Sequence, residues 1–227
     1  MLPKQPPTQT PAQTATLESD PQRERLLDAA ESCLQQYGLG KTTVEDVARA
    51  AGLSRATVYR VVGSRDALVL AVAAREAERC AADAIDHLQQ FDDVGSWVVE
   101  GVLFCLREVP KRPVLAQLGA PQDLATASRL VLSSERLLAI GSDILRPMFE
   151  RARRDGLVAA DVELDAFIEW VLRILMSFLA VPGPEDRDEE ALRRLLRTML
   201  LPAILRDAAR TRAAGDVPPR EDDPGGD

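Results

Sequence analysis

Residues 43–61 carry two short helical patterns that meet at a single glycine. Ala48 supplies the small side chain that two steeply crossing helices need where they touch. Gly52 follows four residues later, and glycine accepts the positive φ that a tight turn requires. Val58 and Val61 give the second helix an apolar inner face. Together these features predict a helix-turn-helix, in preference to an ordinary helical hairpin with glycine at its turn.

Hydroxyl residues precede both short helices. Thr42 or Thr43 can cap the first helix, and an acidic residue, Glu45 or Asp46, follows three positions after each threonine. Ser54 can cap the second helix. The caps fix where each helix begins and strengthen the prediction of a helix-turn-helix.

If the second helix enters the major groove of DNA, its outward side chains meet the base edges. Because Val58 and Val61 face inward, the outward or edge positions are those of Arg55, Ala56, Thr57, Tyr59 and Arg60. An arginine can bond both acceptors of guanine, and a threonine can bond a base or offer its methyl group to thymine. Ser54 and the helix N-terminus suit a phosphate. A solvated helix face is the alternative explanation for each arginine.

The net charge of −8 taken alone argues against a nucleic-acid partner, but the charge is unevenly distributed. Residues 1–79 hold ten basic and ten acidic residues, so the whole excess of acid lies in residues 80–227. Residues 53–65 contain three arginines and no acidic residue. This distribution is compatible with DNA binding by one end of the chain only.

Residues from about Arg23 to Leu70 resemble the TetR family of transcriptional regulators. The segments that carry the resemblance are Arg25-Leu26-Leu27-Asp28-Ala29-Ala30, Tyr37-Gly38, Thr42-Thr43-Val44, Val47-Ala48, Ala51-Gly52-Leu53-Ser54, Ala56-Thr57-Val58-Tyr59-Arg60 and Gly63-Ser64-Arg65-Asp66-Ala67-Leu68.

The resemblance implies that Tyr59, Thr43 and Arg65 contact phosphates. Two positions depart from the family pattern: Val61-Val62 stands where the family often has His-Phe or another aromatic pair, and Arg65 where it usually has lysine. Arg65 keeps the charge, and no base or phosphate contact is transferred to Val61.

No alternating strand pattern occurs in the chain, and the apolar spacing predicts an all-α fold of about nine helices. The predicted organisation is a disordered tail over 1–20, a helix-turn-helix domain over 21–70, a larger helical regulatory and dimerisation domain over 71–210 and a second disordered tail over 211–227. Beyond the helix that opens at Ser64 and runs towards Leu88, helices are expected over 94–108, 112–118, 123–154, 164–181 and 189–210. The 123–154 segment should break near Ser133, or kink or break at Pro147.

In the C-terminal part, bulky or soft side chains could line an apolar cavity for a small molecule, as the resemblance suggests. A lipophilic ligand would suit such a cavity, and Arg107 or Arg173 could meet an anionic group on it. Plain core packing is the alternative explanation for each residue. The candidates are Trp97, Phe104, Cys105, Met148, Phe149, Trp170 and Arg173.

The last two helices, about 164–181 and 189–210, are the predicted surface of a homodimer. Two-fold pairing gives a helix-turn-helix protein a longer DNA site, and the resemblance implies the same arrangement. The alternative is that these apolar stripes cover the chain's own core. One stripe is Phe167, Val171, Leu175 and Phe178, and the other is Leu192, Leu195, Leu196, Met199 and Ile204.

Signals for an enzyme are weak. The single histidine, His87, would have to serve any catalytic triad or zinc site, and no metal-ligand spacing or phosphate-binding loop accompanies it, so neither metal nor cofactor is expected. The odd count of cysteines (Cys33, Cys80 and Cys105), with neither a signal peptide nor a membrane span, predicts a cytoplasmic protein without disulfides. The predicted function is a repressor that binds a palindromic DNA operator as a homodimer and is released by a small lipophilic ligand. The alternative is an all-α protein-interaction module without operator binding.

Overall fold

Ten α-helices form almost all of the chain that the computed structural model describes, namely residues 21–118, 124–181, 183 and 187–206. The predicted all-α class is confirmed, since the described residues include one isolated bridge, Val158 with Leu205, and no strand. The tails predicted over 1–20 and 211–227 lie outside the described residues. The helices are α1 Pro21–Tyr37, α2 Val44–Ala51, α3 Arg55–Val62, α4 Arg65–Leu88, α5 Val94–Glu108, α6 Pro113–Leu118, α7 Leu124–Leu132, α8 Glu135–Arg154, α9 Leu164–Ala180 and α10 Glu189–Met199.

The tenth helix arises because the segment predicted over 123–154 is divided into α7 and α8. The break lies at Ser133 and Ser134, where the Ser134 hydroxyl accepts the Leu137 N–H at 3.3 Å and caps α8. Pro147 does not break α8, which continues to Arg154. Its ring lies on the exposed face of the helix, where water can bond the carbonyl that its missing N–H leaves free.

The last helix is shorter than the sequence predicts. The prediction extends it to residue 210, but α10 ends at Met199 and a 3₁₀ turn over Leu201–Ala203 follows. Pro202 favours this ending because it cannot donate a backbone hydrogen bond within a helix. The chain then returns to the core, where the Ala159 N–H donates to the Ile204 carbonyl at 2.9 Å and the Arg206 N–H donates to the Leu157 carbonyl at 2.9 Å.

Two clusters of buried apolar side chains form the interior. The N-terminal core, which contains Leu26, Val47, Val58 and Val72, joins α1–α4 to α6, α7 and the first half of α8, and also includes Phe104 of α5 and Met176 of α9. The C-terminal core, built around Val99 and other buried residues, joins α5 to the remainder of α8, to α9 and to α10. The domain boundary predicted at residue 70 falls inside the continuous helix α4, and the division into two domains stays a prediction.

Buried or nearly buried carboxylates tie the helices together. Glu76 of α4 is 5% exposed and accepts the backbone N–H groups of Val114 and Leu115 at 3.0 and 2.8 Å, which caps the start of α6. Glu100 of α5 accepts two hydrogen bonds from Arg193 of α10, at 2.7 and 3.1 Å. No helix in the described part of the chain is long and apolar enough to cross a membrane.

Candidate nucleic-acid interface and internal cavity

The start of α2 is fixed by a reciprocal cap. The Asp46 N–H donates to the Thr43 hydroxyl at 3.2 Å, and the Thr43 N–H donates to the Asp46 carboxylate at 3.3 Å. The hydrogen bond from the Thr43 hydroxyl lowers the pKa of Asp46. Thr42, the other candidate for this cap, is buried instead, with its hydroxyl 2.8 Å from the Gly38 carbonyl. The predicted cap is therefore confirmed for Thr43 and Asp46.

The turn between α2 and α3 depends on Gly52. Its φ of 66° is the left-handed conformation that side chains disfavour, and the Leu53 N–H donates to the Ala48 carbonyl at 2.9 Å across the turn. Ala48 and Val58 are buried, whereas Val61 is only half-buried. The predicted helix-turn-helix is confirmed in its spacing, and its inner face rests mainly on Val58.

The residues predicted to meet DNA from α3 lie on its outer side. Ser54, Arg55, Ala56, Tyr59 and Arg60 are exposed. Thr57 is half-buried, and the Ser54 hydroxyl caps the helix by accepting the Thr57 N–H at 3.1 Å.

The two arginines of α3 differ in their surroundings. Arg55 forms an ion pair with Glu45 of α2 at 2.6 Å, and its guanidinium lies 5.5 Å from the centre of the Tyr59 ring. A hydrogen bond to Tyr59 and the charge of Glu45 raise the pKa of Arg55. Within the described residues, the Arg60 side chain has no hydrogen-bond or ion-pair partner. Arg60 can therefore bind a group on DNA without losing a contact seen here, whereas Arg55 must first break its ion pair with Glu45.

Arg65 is predicted to contact a phosphate, and in the structure its guanidinium forms hydrogen bonds within the protein. Its Nε donates to the Thr42 carbonyl at 2.9 Å and its Nη2 donates to the Leu39 carbonyl. These bonds attach the first residue of α4 to the connection between α1 and α2. The side chain remains 38% exposed, so part of the guanidinium stays accessible to a phosphate.

Arg25 is a residue that the sequence reasoning missed. Its Nη2 donates to the Ala51 carbonyl at 3.2 Å and so links α1 to the last residue of α2. The two residues are 26 positions apart, and no local pattern signals such a contact.

A partly open cavity of about 210 Å³ lies between the two cores. Helices α4 to α9 all contribute to its wall, with Cys80 and Leu118 from the N-terminal core and Val98 and Phe167 from the C-terminal core. No lining residue in the described part of the chain has an ionised side chain.

Two of the seven residues predicted to bind a ligand, Trp97 and Cys105, line this cavity. The Trp97 indole N–H donates to the Phe91 carbonyl at 2.8 Å, so its one polar group already has a partner. Burial raises the pKa of Cys105 to about 12, so its thiol is neutral at pH 7.

The other five predicted residues, and Arg107, do not line the cavity. Phe149 is fully buried in the C-terminal core and Met148 packs against it, while Phe104 belongs to the N-terminal core, 5.3 Å from the His87 ring. Trp170 is 52% exposed. Both arginines are exposed and paired with carboxylates, Arg173 with Glu169 and Arg107 with Glu108 and Glu189.

The apolar stripes predicted on the last two helices largely belong to the chain's own core. Phe167, Leu175, Leu196 and Ile204 are buried within the C-terminal core. Two members of the predicted stripes, Phe178 and Met199, are exposed instead, and so are two further large apolar residues on or beside α9, Trp170 and Val181.

Comparison with known proteins agrees with this architecture. Residues 26–72 match the model of the bacterial regulatory proteins of the tetR family. The chain is 28% identical over 206 residues to Rv1255c, an uncharacterized HTH-type transcriptional regulator of Mycobacterium tuberculosis, and covers 92% of it with 86% of its own length. It is 29% identical over 176 residues to the HTH-type transcriptional regulator AlkX of the same species, covering 80% of AlkX with 74% of its own length.

Solved structures show the same fold. The TetR family repressor AlkX of Dietzia sp. strain DQ12-45-1b is 26% identical, with a TM-score of 0.55 and coverage of 78% of this chain and 94% of AlkX. RolR in complex with resorcinol has a TM-score of 0.62 at 18% identity, covering 87% and 95% of the two chains. The helix-turn-helix, the family match over residues 26–72 and these relatives agree in supporting a DNA-binding transcriptional regulator of the TetR type rather than an enzyme.

Proposed function

We propose that the protein is a repressor that binds a two-fold symmetric operator as a homodimer and dissociates from it when a small lipophilic molecule binds. The observation that carries this proposal is the apolar cavity between the core that contains the helix-turn-helix and the C-terminal core. A ligand placed there contacts both halves of the molecule. The related AlkX from Dietzia is a repressor, which supports the same sense of regulation here.

In this proposal α3 lies in the major groove of the operator. Arg60 reads a base edge, because its side chain is exposed and unpaired within the described residues. Ala56 and Thr57 lie beside it, and Arg55 can exchange Glu45 for a base. Phosphates are contacted by Tyr59 and by groups at helix N-termini, where unpaired amides favour anions. Those groups are Thr43, Ser54 and Arg65.

The proposed dimer forms through α9 and α10. Trp170, Phe178, Val181 and Met199 are large apolar side chains left exposed on or beside these helices, and burying them against a second copy is favourable. The TetR family dimerises, in agreement with this surface.

The ligand signal reaches the DNA-binding part through α4 and α6. Both helices contribute to the cavity wall, through Cys80 and Leu115 among others. Helix α6 is attached to α4 by Glu76, and to α1 by the Gln117 side chain, which donates to the Leu34 carbonyl at 3.0 Å. A ligand that moves α4 and α6 changes the separation of the two α3 helices. Because half-sites lie about 34–36 Å apart, a shift of a few ångströms prevents both helices from docking together.

The test of DNA binding is a salt-dependent titration of the purified protein on the promoter region of its own gene. We expect Arg60→Ala to weaken binding by about 1–3 kcal/mol and to relax the sequence preference at one position of each half-site. Arg151→Ala, an exposed arginine of α8, is the matched control and should bind like the wild type. Equal loss on every operator variant would make Arg60 a phosphate contact. The absence of any salt-dependent shift would contradict operator binding.

The dimer is tested by sedimentation. Met199→Glu and Trp170→Glu place a charge on side chains that are 71% and 52% exposed in the single chain, so they should leave its fold intact and produce monomers. Leu196→Glu tests folding instead, because Leu196 is 3% exposed within the C-terminal core. A wild-type monomer at micromolar concentration would refute the dimer.

A further inference from the structure

The cavity wall is apolar on every side that the structure describes. Its lining side chains belong to alanine, valine, leucine, isoleucine, methionine, phenylalanine, tryptophan, cysteine and glycine residues. The polar groups among them are few. Trp97 already donates its indole N–H to the Phe91 carbonyl, and burial raises the pKa values of the Cys80 and Cys105 thiols, which keeps both of them neutral.

The charged groups around the cavity are turned outward or neutralised by partners. Arg173 is bonded to Glu169, and Arg107 pairs with Glu108 and Glu189. Glu100, the buried carboxylate of α5, is held by Arg193. Arg112 interacts with Cys80 of the wall; its Nη2 pairs with Asp83 at 2.5 Å, which offsets its charge, while its Nε is buried without a hydrogen-bond partner. An anionic head group among the described lining side chains would therefore lose its water without gaining a cation that is not already paired with a carboxylate.

We infer that the ligand of this cavity is an uncharged, hydrocarbon-like molecule without a carboxylate or other charged head group. The inference rests on the proposed function and specifies its ligand further: the lipophilic molecule proposed there carries no anionic group. An engineered apolar cavity of about 150 Å³ holds benzene, so a volume of about 210 Å³ corresponds to about eight carbon atoms. Small alkanes and alkylbenzenes fit this size and chemistry.

The experiment uses matched pairs of probes with the full-length protein. Ethylbenzene and n-octane are compared with phenylacetate and octanoate by calorimetric titration at pH 7, below the solubility limit of each probe. We expect both hydrocarbons to bind and both carboxylates to bind at least about 100-fold more weakly, because the lining residues that the structure describes carry no cation. Octanoate at pH 7 with an affinity equal to that of n-octane would overturn the inference, and so would the failure of both hydrocarbons to bind.

The pH dependence of octanoate binding gives a second readout. If only the neutral acid enters the cavity, its apparent affinity should rise about tenfold when the pH falls from 7 to 6, as the protonated fraction increases. The affinity of n-octane should stay constant over that range. Octanoate affinity that does not change with pH would show that the carboxylate form binds, which contradicts the inference.

A cavity-filling variant locates the binding site. Gly101 lies in the wall on α5, and the first heavy atom that a Cβ would meet is Leu88 Cδ1 at 3.7 Å, so Gly101→Leu extends into the empty volume. We expect this variant to lose at least about tenfold in ethylbenzene affinity while circular dichroism shows an unchanged helical fold. Ala82→Leu adds the same side chain at an exposed position of α4 and should bind normally. Equal ethylbenzene binding by Gly101→Leu would place the ligand elsewhere and refute the inference.

Release of DNA is measured separately, in an operator titration with and without ethylbenzene. Hydrocarbon that binds the cavity but leaves operator affinity unchanged would refute the proposed regulation and still support the ligand class. In contrast, a carboxylate that binds and releases the operator would support regulation and overturn the ligand class.

Discussion

Replacing Arg65 would separate a structural role from an electrostatic one. Its guanidinium donates to the carbonyls of Thr42 and Leu39, and in our proposal the same group contacts an operator phosphate. Arg65→Ala removes the hydrogen bonds and the charge together. Arg65→Lys keeps the charge, but a single ammonium group on a flexible stem does not reproduce the two bonds of a planar guanidinium.

The expected loss of stability follows from the number and exposure of these bonds. A hydrogen bond to a charged group contributes about 1.5–3 kcal/mol where water is excluded. The Arg65 side chain is 38% exposed, so we reduce this to about 1 kcal/mol for each bond. Arg65→Ala should then lower the free energy of unfolding by about 2 kcal/mol and Arg65→Lys by about 1 kcal/mol. At this chain length those losses correspond to decreases in Tm of about 4–8 °C and 2–4 °C.

The salt dependence of DNA binding should change in Arg65→Ala but not in Arg65→Lys. Each neutralised phosphate contributes about 0.9 to the slope of log K against log salt, so a dimer that loses two Arg65 contacts should lose about 1.8 of that slope. Arg65→Lys should keep the wild-type slope. Thermal unfolding and fluorescence anisotropy on an operator, from about 50 to 200 mM salt, measure the two effects on the same samples.

The two roles of Arg65 can be refuted separately. A Tm for Arg65→Ala within about 1 °C of the wild type would show that the bonds to Thr42 and Leu39 contribute no stability. A wild-type salt slope for Arg65→Ala would exclude the phosphate contact. Arg79→Ala, an arginine of the same helix that is 54% exposed and paired with Glu31, is the control and should leave the slope unchanged.

Three further substitutions test the packing around the cavity and the helix-turn-helix. Gly101→Ala should raise the free energy of unfolding by about 1 kcal/mol, because alanine favours a helix and its methyl group enters open space; a lower Tm would contradict the cavity at this position. Glu76→Ala should lower the free energy of unfolding, measured in urea, by about 2–3 kcal/mol, because two buried N–H groups lose their acceptor. Glu78→Ala, at an exposed position of the same helix, is the control and should lower it by less than about 1 kcal/mol. Thr43→Ala should cost about 1 kcal/mol through the lost cap of α2, and an unchanged Tm would show that Asp46 compensates.

The helix-turn-helix could be predicted because its determinants are local. Gly52, Ser54, the Thr43 cap and the inward position of Val58 act within a few residues of one another, and each side chain has few alternatives at its position. The connections made by Arg25 and Arg65 could not be predicted in the same way. Their acceptors are backbone carbonyls 23–26 residues away, and any carbonyl can accept such a bond, so no residue type marks the partner.

The cavity could be predicted in kind but not in detail. Large and soft side chains in the C-terminal part indicated an apolar interior, yet their chemistry did not tell which of them face an empty space. Helix phase decides this: Cys105 lines the cavity, whereas its neighbour Phe104 turns towards His87. Small residues that the sequence did not single out, such as Gly101 and Ala84, help to make the space because they leave volume unfilled.

In the proposed function, the position of α4 between the helix-turn-helix and the cavity explains how a ligand in a small volume influences DNA binding. At its first residue, Arg65 fixes α4 to the connection between α1 and α2, and Arg25 fixes α1 to the end of α2. A tilt of α4 that keeps these hydrogen bonds therefore moves the helix-turn-helix with it. At its other end Cys80 and Leu88 form part of the cavity wall. A ligand can shift this helix only by as much as it prefers the tilted form, typically about 1–3 kcal/mol. Loss of the Arg65 bonds should therefore weaken the response of operator affinity to the ligand even where ligand affinity itself is unchanged.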